Sequence, residues 1–263
     1  MYNKIMKKRL DQVVADRLQT SRNKAQNLIK NGCVFVDDKV QNKPSFDVEE
    51  YQNITIMQHD NYVSRGAYKL LKAFDVFGLN VEEKIVLDMG ASTGGFTQVL
   101  IVKGADKILS VDVGKGEMDK TIAKHPKVVN MEGRDVRSLS KDEVAGCNLV
   151  VGDLSFISLK HILPHIKNLL GNIEMALLFK PQFECGREIA KKFRGVIKDK
   201  SVHKNLLKQF EEELKILDFT LCGLTESAIK GGSGNIEYLV HINAPQKQHF
   251  NIDEVVNDAF ETL

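Results

Sequence analysis

From residue 84 onward the chain repeats one pattern: a short apolar run that stops at a charged or small residue, then a stretch of helical length. "KIVLDMG", "KILSVDVG", "CNLVVGDLSF" and "EMALLFKPQ" are such runs. They are continuously apolar rather than alternating, as strands covered on both faces must be. "GGFTQVLIVKG", "LKHILPHIKNLL" and "SVHKNLLKQFEEELKIL" are the helix-like stretches between strands. Strands alternating with helices predict a parallel α/β sheet. "KVVNMEGRDVR", "FTLCGLTESAI" and "IEYLVHI" bring the expected strands to seven. The last two are separated only by the short "KGGSGN", which predicts an antiparallel pair at one edge.

Ahead of this pattern lies a different one. Residues 7–60 read as a compact unit of helices and short strands. In "TSRNKAQNLIKNG", Thr20 or Ser21 can cap a helix, Ala25, Leu28 and Ile29 supply its apolar stripe, and Gly32 can end it. "CVFVDDKV" reads as strand, Asp-Asp turn, strand, and "NITIM" as another strand. "SRGAYKLLKAFDVFG" predicts a helix from Ser64 to about Phe77. We therefore expect two domains, 1–60 and 61–263. Charge divides in the same way. The chain's net charge is +2, but residues 1–43 hold ten Lys/Arg and four Asp/Glu, leaving 27 basic and 31 acidic residues in the remainder. A basic segment on a mildly acidic body suggests a polyanion-binding module, with a solvated charged face as the plainer reading.

Ligands of a doubly wound sheet bind beyond the carboxyl ends of its strands. The first strand runs into "DMGASTGGFTQ", where Asp88, Gly90, Ser92, Gly94, Gly95 and Phe96 form the candidate cofactor loop. The next strand ends at Asp112, suited to accept two ribose hydroxyls. Asp135 follows the third, suited to an adenine amino group. The loop is neither the G-x-G-x-x-G of dinucleotide enzymes nor a G-x-x-x-x-G-K-[ST] phosphate loop, since Phe96 and Thr97 stand where Lys and Ser/Thr would. Its D-x-G-x-x-x-G-G-F form resembles the first motif of S-adenosylmethionine-dependent methyltransferases. A dinucleotide enzyme is the competing reading.

Two further strand ends carry charge, Asp153 and Lys180, while Lys69 precedes the sheet and Glu237 opens its last strand. Each alone has a plainer reading: Lys180 as a snorkelling surface residue, Asp153 as a turn cap, Glu237 as an edge-strand charge, Lys69 as part of a solvated helix face. Together and in order they resemble the Lys–Asp–Lys–Glu tetrad of the FtsJ/RrmJ-like RNA ribose 2′-O-methyltransferases. "SRGAYKL", "DMGASTGGFT", "GDLSFISL", "LFKPQFE" and "KGGSGNIEYL" extend the resemblance along nearly the whole chain to the TlyA family of ribosomal RNA ribose methyltransferases, some of whose members are called hemolysins. That resemblance implies a Rossmann-like seven-stranded methyltransferase sheet that uses S-adenosylmethionine. Lys69, Asp153, Lys180 and Glu237 would be the catalytic set, Asp153 also bordering the cofactor. A ribose hydroxyl must lose its proton as it attacks, and a lysine serves as base when burial and a neighbouring ammonium lower its pKa. Lys180 is the expected base and Lys69 the supporting charge. His161, His165 and His203 are expected to be structural or surface residues. Phe156, Phe179, Phe183 and Phe193 are expected in the core or pocket wall, with Phe183 a candidate stacking partner for a base.

"RLDQVVADRLQTSRNKAQNLIKNGCVFVDDKVQNKPSFDV" resembles the small α+β RNA-binding domain shared by a small-subunit ribosomal protein, pseudouridine synthases and tyrosyl-tRNA synthetases. The resemblance implies contacts from Arg9, Arg22, Lys24 and Lys30 to RNA phosphates, and Arg65 is a further candidate. The expected partners are ribosomal RNA, with a cytidine as target, and the ribosomal subunits. A nearly complete N-terminal domain resembles the longer members, which modify both subunits. The four cysteines lack zinc-ligand spacing, and no metal is expected. The first residues carry charge without an apolar stretch behind it, and no window approaches the ~20 apolar residues of a membrane span. The expectation is a cytoplasmic protein without stable membrane association. The alternatives are a membrane-lytic hemolysin, as the family name suggests, and an RNA-binding assembly factor without catalysis.

Overall fold

The computed structural model describes residues 7–30, 34–37, 39–41, 43–49, 52–56 and 62–263, without the side chains of residues 24, 27, 30, 39 and 40. The expected helix end at Gly32, the Asp38 half of the Asp-Asp turn and the thiol of Cys33 lie outside the described residues. The chain divides into two compact units, Met1–Arg65 and Gly66–Leu263.

In the first unit, strand β1 (Lys7–Arg9) leads into helix α1 (Leu10–Arg17), followed by α2 (Arg22–Lys30). β2 (Val34–Val36) pairs antiparallel with β3 (Lys39–Val40) and with β5 (Ile54–Ile56), and β4 (Asp47–Glu49) pairs antiparallel with β1. The two expected strands of "CVFVDDKV" and the strand in "NITIM" are present. Leu10, Val14, Ala25, Ile29, Val34, Val36, Val48 and Ile54 make the core. Ala25 and Ile29 are the helical stripe read from the sequence.

The second unit begins with α3 (Gly66–Phe77). β6 (Ile85–Met89), α4 (Gly95–Val102), β7 (Lys107–Asp112), α5 (Lys120–Ala123) and β8 (Val128–Glu132) follow. Then come β9 (Cys147–Gly152), α6 (Leu163–Leu170), β10 (Met175–Phe179), the short helices α7 (Pro181–Glu184) and α8 (Gly186–Lys192), α9 (Lys200–Ile216), β11 (Leu221–Glu226), β12 (Tyr238–Ile242) and α10 (Ile252–Thr262). The seven strands lie in the order β11-β12-β10-β9-β6-β7-β8. β12 alone runs against its neighbours, as the short "KGGSGN" connection predicts. This is the expected Rossmann-like sheet.

Strand alternation sends Leu87 and Met89 into a core shared with Leu207 and Phe210 of α9 and Val256 of α10. Asp88 faces the other way, toward α4, where its Oδ2 accepts a hydrogen bond from Thr97 Oγ1 at 2.7 Å. Every residue of β10 is buried. The loops of β6, β7, β9 and β10 emerge at the carboxyl end of the sheet. Among the described residues no helix is long and apolar enough to cross a membrane.

Candidate active site

Strand register explains why distant charges meet. β9 and β10 are parallel, so Asp153 and Lys180, each one residue beyond its strand, leave the sheet at the same end. β12 is antiparallel to β10, and Phe179 pairs with Tyr238. The residue after Phe179 and the residue before Tyr238 therefore emerge side by side: Lys180 and Glu237. α3 presents Lys69 to the same place.

The four side chains form one ion cluster. Lys69 Nζ lies 2.8 Å from Glu237 Oε2 and 3.1 Å from Asp153 Oδ2. Lys180 Nζ lies 2.6 Å from Asp153 Oδ1, an ion pair by distance at an angle that makes no directed hydrogen bond. Lys180 donates instead to Ser155 Oγ at 2.8 Å. Gln182 Nε2 donates to Glu237 Oε1 at 3.2 Å. Lys69, Lys180 and Glu237 are all at least nine-tenths buried, where unpaired charges would be very costly. Burial pulls the Lys69 ammonium down, but Asp153 and Glu237 outweigh it and hold its pKa above the usual lysine value. Burial likewise pushes Asp153 up, and the two ammonium groups outweigh it and hold the carboxyl below its usual range. The two lysines are thus unlike: Lys69 is clamped by two carboxylates, Lys180 by one carboxylate and a hydroxyl.

Beside the cluster opens a cleft of about 610 Å³, lined among others by Gly90, Ser92, Asp112, Asp135, Asp153 and Phe156. Gly90 has φ +80°, and a Cβ there would stand 3.0 Å from the Asp153 carbonyl oxygen. Only glycine combines that backbone with that close approach. Asp112 accepts the Ser92 N–H on one oxygen and the Gly114 N–H on the other, both at 2.8 Å. These bonds aim the carboxylate and leave it further acceptor positions. Asp135 lies three residues beyond the end of β8, caps a turn of 3₁₀ helix, and is bonded to Arg137. The other guanidinium of the cleft, Arg134, is bonded to Glu143. Both arginines are engaged with carboxylates, and no lysine lines the cleft. The carboxylates of the lining therefore suit a ligand rich in hydroxyls, amines or positive charge.

Four residues of the candidate cofactor loop, Asp88, Gly94, Gly95 and Phe96, do not line the cleft. Asp88 is wholly buried beneath the loop, and burial raises its pKa to about 7. Gly95 opens α4, and Phe96 is buried. Gly94 also serves packing: its φ is +94°, and a Cβ would meet Ile122 at 3.0 Å. Of the two places expected for Phe156, core or pocket wall, it takes the wall of the cleft. It is 91% exposed and has φ +64°, an unusual conformation for a bulky residue, which turns it away from the core. Its ring lies 5.3 Å from that of half-buried Phe183, and Lys180 Nζ is 5.7 Å from the Phe183 centroid. Phe179 is core, and half-buried Phe193 packs against it. His203 is structural: its ring bonds Tyr238 Oη at 2.8 Å and the Ile197 carbonyl at 3.1 Å. His161 is exposed and His165 half-buried.

Sequence reading missed Ser155, Gln182 and Gly231. Ser155 and Gln182 each sit two residues after a member of the cluster, a spacing that was available as a signal. Gly231 carries no chemical signal, but its backbone lies so close to Glu237 that a Cβ would overlap Oε1.

In the first unit, Arg9 and Arg22 both bond the carboxylate of wholly buried Asp11, Arg9 Nη2 at 2.9 Å and Arg22 Nε at 3.0 Å. Both arginine side chains remain nearly half exposed. The Lys24 and Lys30 side chains lie outside the described residues. Arg65 is half-buried just before α3.

The family model of FtsJ-like methyltransferases matches residues 62–244, and that of the S4 domain matches residues 8–52. Hemolysin A of Brachyspira hyodysenteriae is 39% identical over 239 residues, covering 89% of this chain and 98% of that protein. The 23S rRNA (cytidine-2'-O)-methyltransferase TlyA of Campylobacter jejuni is 36% identical over 252 residues, with the same coverage. A solved hemolysin-like structure from Streptococcus thermophilus superposes with a TM-score of 0.74 at 33% identity, covering 98% of this chain and 97% of that one. Matched in both its parts and along nearly the full length of such relatives, the chain belongs to the TlyA/hemolysin A family of FtsJ-like methyltransferases.

Proposed function

We propose that this protein transfers a methyl group from S-adenosylmethionine to the 2′-hydroxyl of a ribose in ribosomal RNA. The observation that carries the reading is the buried Lys69–Asp153–Lys180–Glu237 cluster beside a carboxylate-lined cleft. The target is a cytidine, by analogy with the relative named for that reaction.

S-adenosylmethionine, when bound, supplies an electrophilic methyl on a sulfonium sulfur. The cleft suits it, having carboxylates for its hydroxyls and amines. Asp112 would take its ribose hydroxyls and Asp135 its adenine amine, with Gly90 and Ser92 giving room for close approach. Lys180, after releasing its own proton to solvent, accepts the proton of the RNA 2′-hydroxyl as the oxygen attacks the methyl group. Lys69 is the poorer candidate for base, because two carboxylates hold it protonated. Lys69 keeps a positive charge where the alkoxide develops. Asp153 spaces the two ammonium groups, and Glu237, steadied by Gln182, fixes Lys69. Phe156 and Phe183 offer aromatic faces next to the reacting hydroxyl, on which an unstacked base can lie. Residues 1–60 bind RNA phosphates through Arg9, Arg22, Lys24 and Lys30, Arg65 adds a further contact, and residues 61–263 carry the chemistry. Ribosomal subunits as substrate place the protein in the cytoplasm.

The test is transfer of a labelled methyl group to ribosomal subunits from a strain lacking the gene. Wild type should label a 2′-O-methylcytidine. Lys180→Ala should lower kcat by about 10²–10⁴, the range for losing a general base. Equal labelling by both proteins would remove Lys180 from the base role.

A further inference from the structure

Between Lys180 and α9 the chain makes an excursion that the methyl-transfer chemistry does not use. Residues 187–198 hold five cations, Arg187, Lys191, Lys192, Arg194 and Lys198, against the single carboxylate of Glu188. All six side chains are exposed. Arg187 and Lys191 are one helical turn apart on α8, so they share a face. Ile189, Ala190 and Phe193 pack inward against the core. Among the described residues, Arg187, Lys191, Arg194 and Lys198 take part in no ion pair.

This basic segment is held to the active-site strand by buried polar groups. Asn235, two residues before Glu237, donates from Nδ2 to the Gly195 carbonyl at 2.7 Å and accepts the Ile197 N–H on Oδ1 at 2.9 Å. His203 bonds the Ile197 carbonyl and also Tyr238, the residue after Glu237. Asn235 is 2% exposed and His203 wholly buried. Buried polar side chains are costly unless satisfied. Here their bonds fix an exposed loop to the chain on either side of Glu237. At the other end, the segment starts a few residues beyond Lys180.

We infer that Arg187, Lys191, Lys192, Arg194 and Lys198 form a phosphate-binding surface of the catalytic unit itself, gripping the RNA backbone that flanks the target nucleotide. The inference rests on the methyl-transfer reading and adds a second RNA-binding surface, separate from that of residues 1–60. The surface grips a polyanion by charge alone. A lipid-binding helix needs an outward apolar face, and the apolar residues of this segment point inward. Arg194 at φ +52° and Gly195 at φ +80° reverse the chain after α8 and end the helix without interrupting the run of cations.

The test compares wild type, Lys191→Gln/Arg194→Gln and the charge-keeping Lys191→Arg in the full-length protein. The substrates are unmethylated ribosomal subunits, deproteinised ribosomal RNA and phosphatidylglycerol vesicles. The double neutralisation should weaken RNA binding and raise KM about tenfold or more. It should also reduce the slope of log K against log salt by about 0.7–0.9 for each phosphate no longer neutralised. kcat at saturating RNA, adenosylmethionine affinity and thermal midpoint should stay near wild type, and Lys191→Arg should bind as wild type does. Unchanged RNA affinity and salt slope in the double variant would overturn the inference, as would loss of vesicle binding with RNA binding intact. A wild type that binds RNA but transfers no methyl group would instead sink the methyl-transfer reading, while the binding comparison would still decide the role of this surface.

Discussion

At the scale of single residues, the site depends on where backbone leaves room as much as on its charges. Glu237 carries the carboxylate that completes the clamp on Lys69, and the Gly231 backbone lies against its Oε1. Gly231 is not in the left-handed region, so its requirement is space alone. Gly231→Ala should push Glu237 off Lys69 and Gln182 while leaving the cleft lining unchanged. The expected result is a kcat reduced by about tenfold to a hundredfold, one to two steps of 1.36 kcal/mol in the barrier, with adenosylmethionine affinity retained. Calorimetric titration alongside single-turnover kinetics separates the two. A weakened cofactor affinity with normal turnover would show that the loop serves the cleft rather than the lysine clamp.

At the scale of elements, Asp88 ties β6 to α4 and β7. Thr97 Oγ1 donates to its Oδ2 and also lies 2.9 Å from Ser110 Oγ, while Oδ1 has no partner. Burial raises its pKa to about 7, against about 3.9 in an unfolded chain. The folded state therefore favours the neutral acid. This stability is fully present below pH ~4 and is lost progressively as pH rises to about 7, where the native state comes to hold an unpaired buried carboxylate. The full shift corresponds to about 4 kcal/mol as an upper bound. Asp88→Asn stays neutral at every pH, so its stability relative to wild type should rise between pH 4 and 7 and level off above. Denaturant unfolding across that range tests this, and a pH-independent difference would overturn the assignment. Asp88 also shows where sequence reading stops. Its motif marks the loop after β6 as the candidate cofactor loop, but strand alternation turns Asp88 away from the cleft. Apolar runs identify all seven strands of the sheet, because enclosed strands have a plain pattern. The C-terminal helix α10 escapes that reading, although Asn251 caps it and Ile252, Val256 and Ala259 are spaced for burial. Hydrophobicity alone leaves Phe156 either in the core or in the pocket wall, and its backbone conformation puts it in the wall. Glu237 and Lys180 can be placed at strand ends, but their pairing rests on the β10–β12 register, which no local pattern encodes.

At the scale of the whole molecule, the proposed RNA binding falls on two units of different chemistry. Among the described residues the first has its own core of eight buried apolar residues and exposed Lys7 and Lys8, and the second holds the ion cluster and the cleft. If residues 1–60 supply affinity and the second unit supplies chemistry, weakening the first should act on RNA affinity alone. Arg9 and Arg22 are poor choices for that purpose, since both neutralise buried Asp11. Removing either would leave a buried carboxylate short of a partner and destabilise the unit. Lys7 and Lys8 at β1 are exposed, and Lys7 pairs with the rim carboxylate Glu49, so neutralising them should cost little stability. Lys7→Gln/Lys8→Gln should raise KM for ribosomal subunits by a larger factor at low salt than at high salt, where counterions already weaken the phosphate grip, with kcat unchanged. Steady-state kinetics at low and high salt reads this directly. A fall in kcat at saturating RNA would mean that the first unit shapes the reacting geometry as well as the grip.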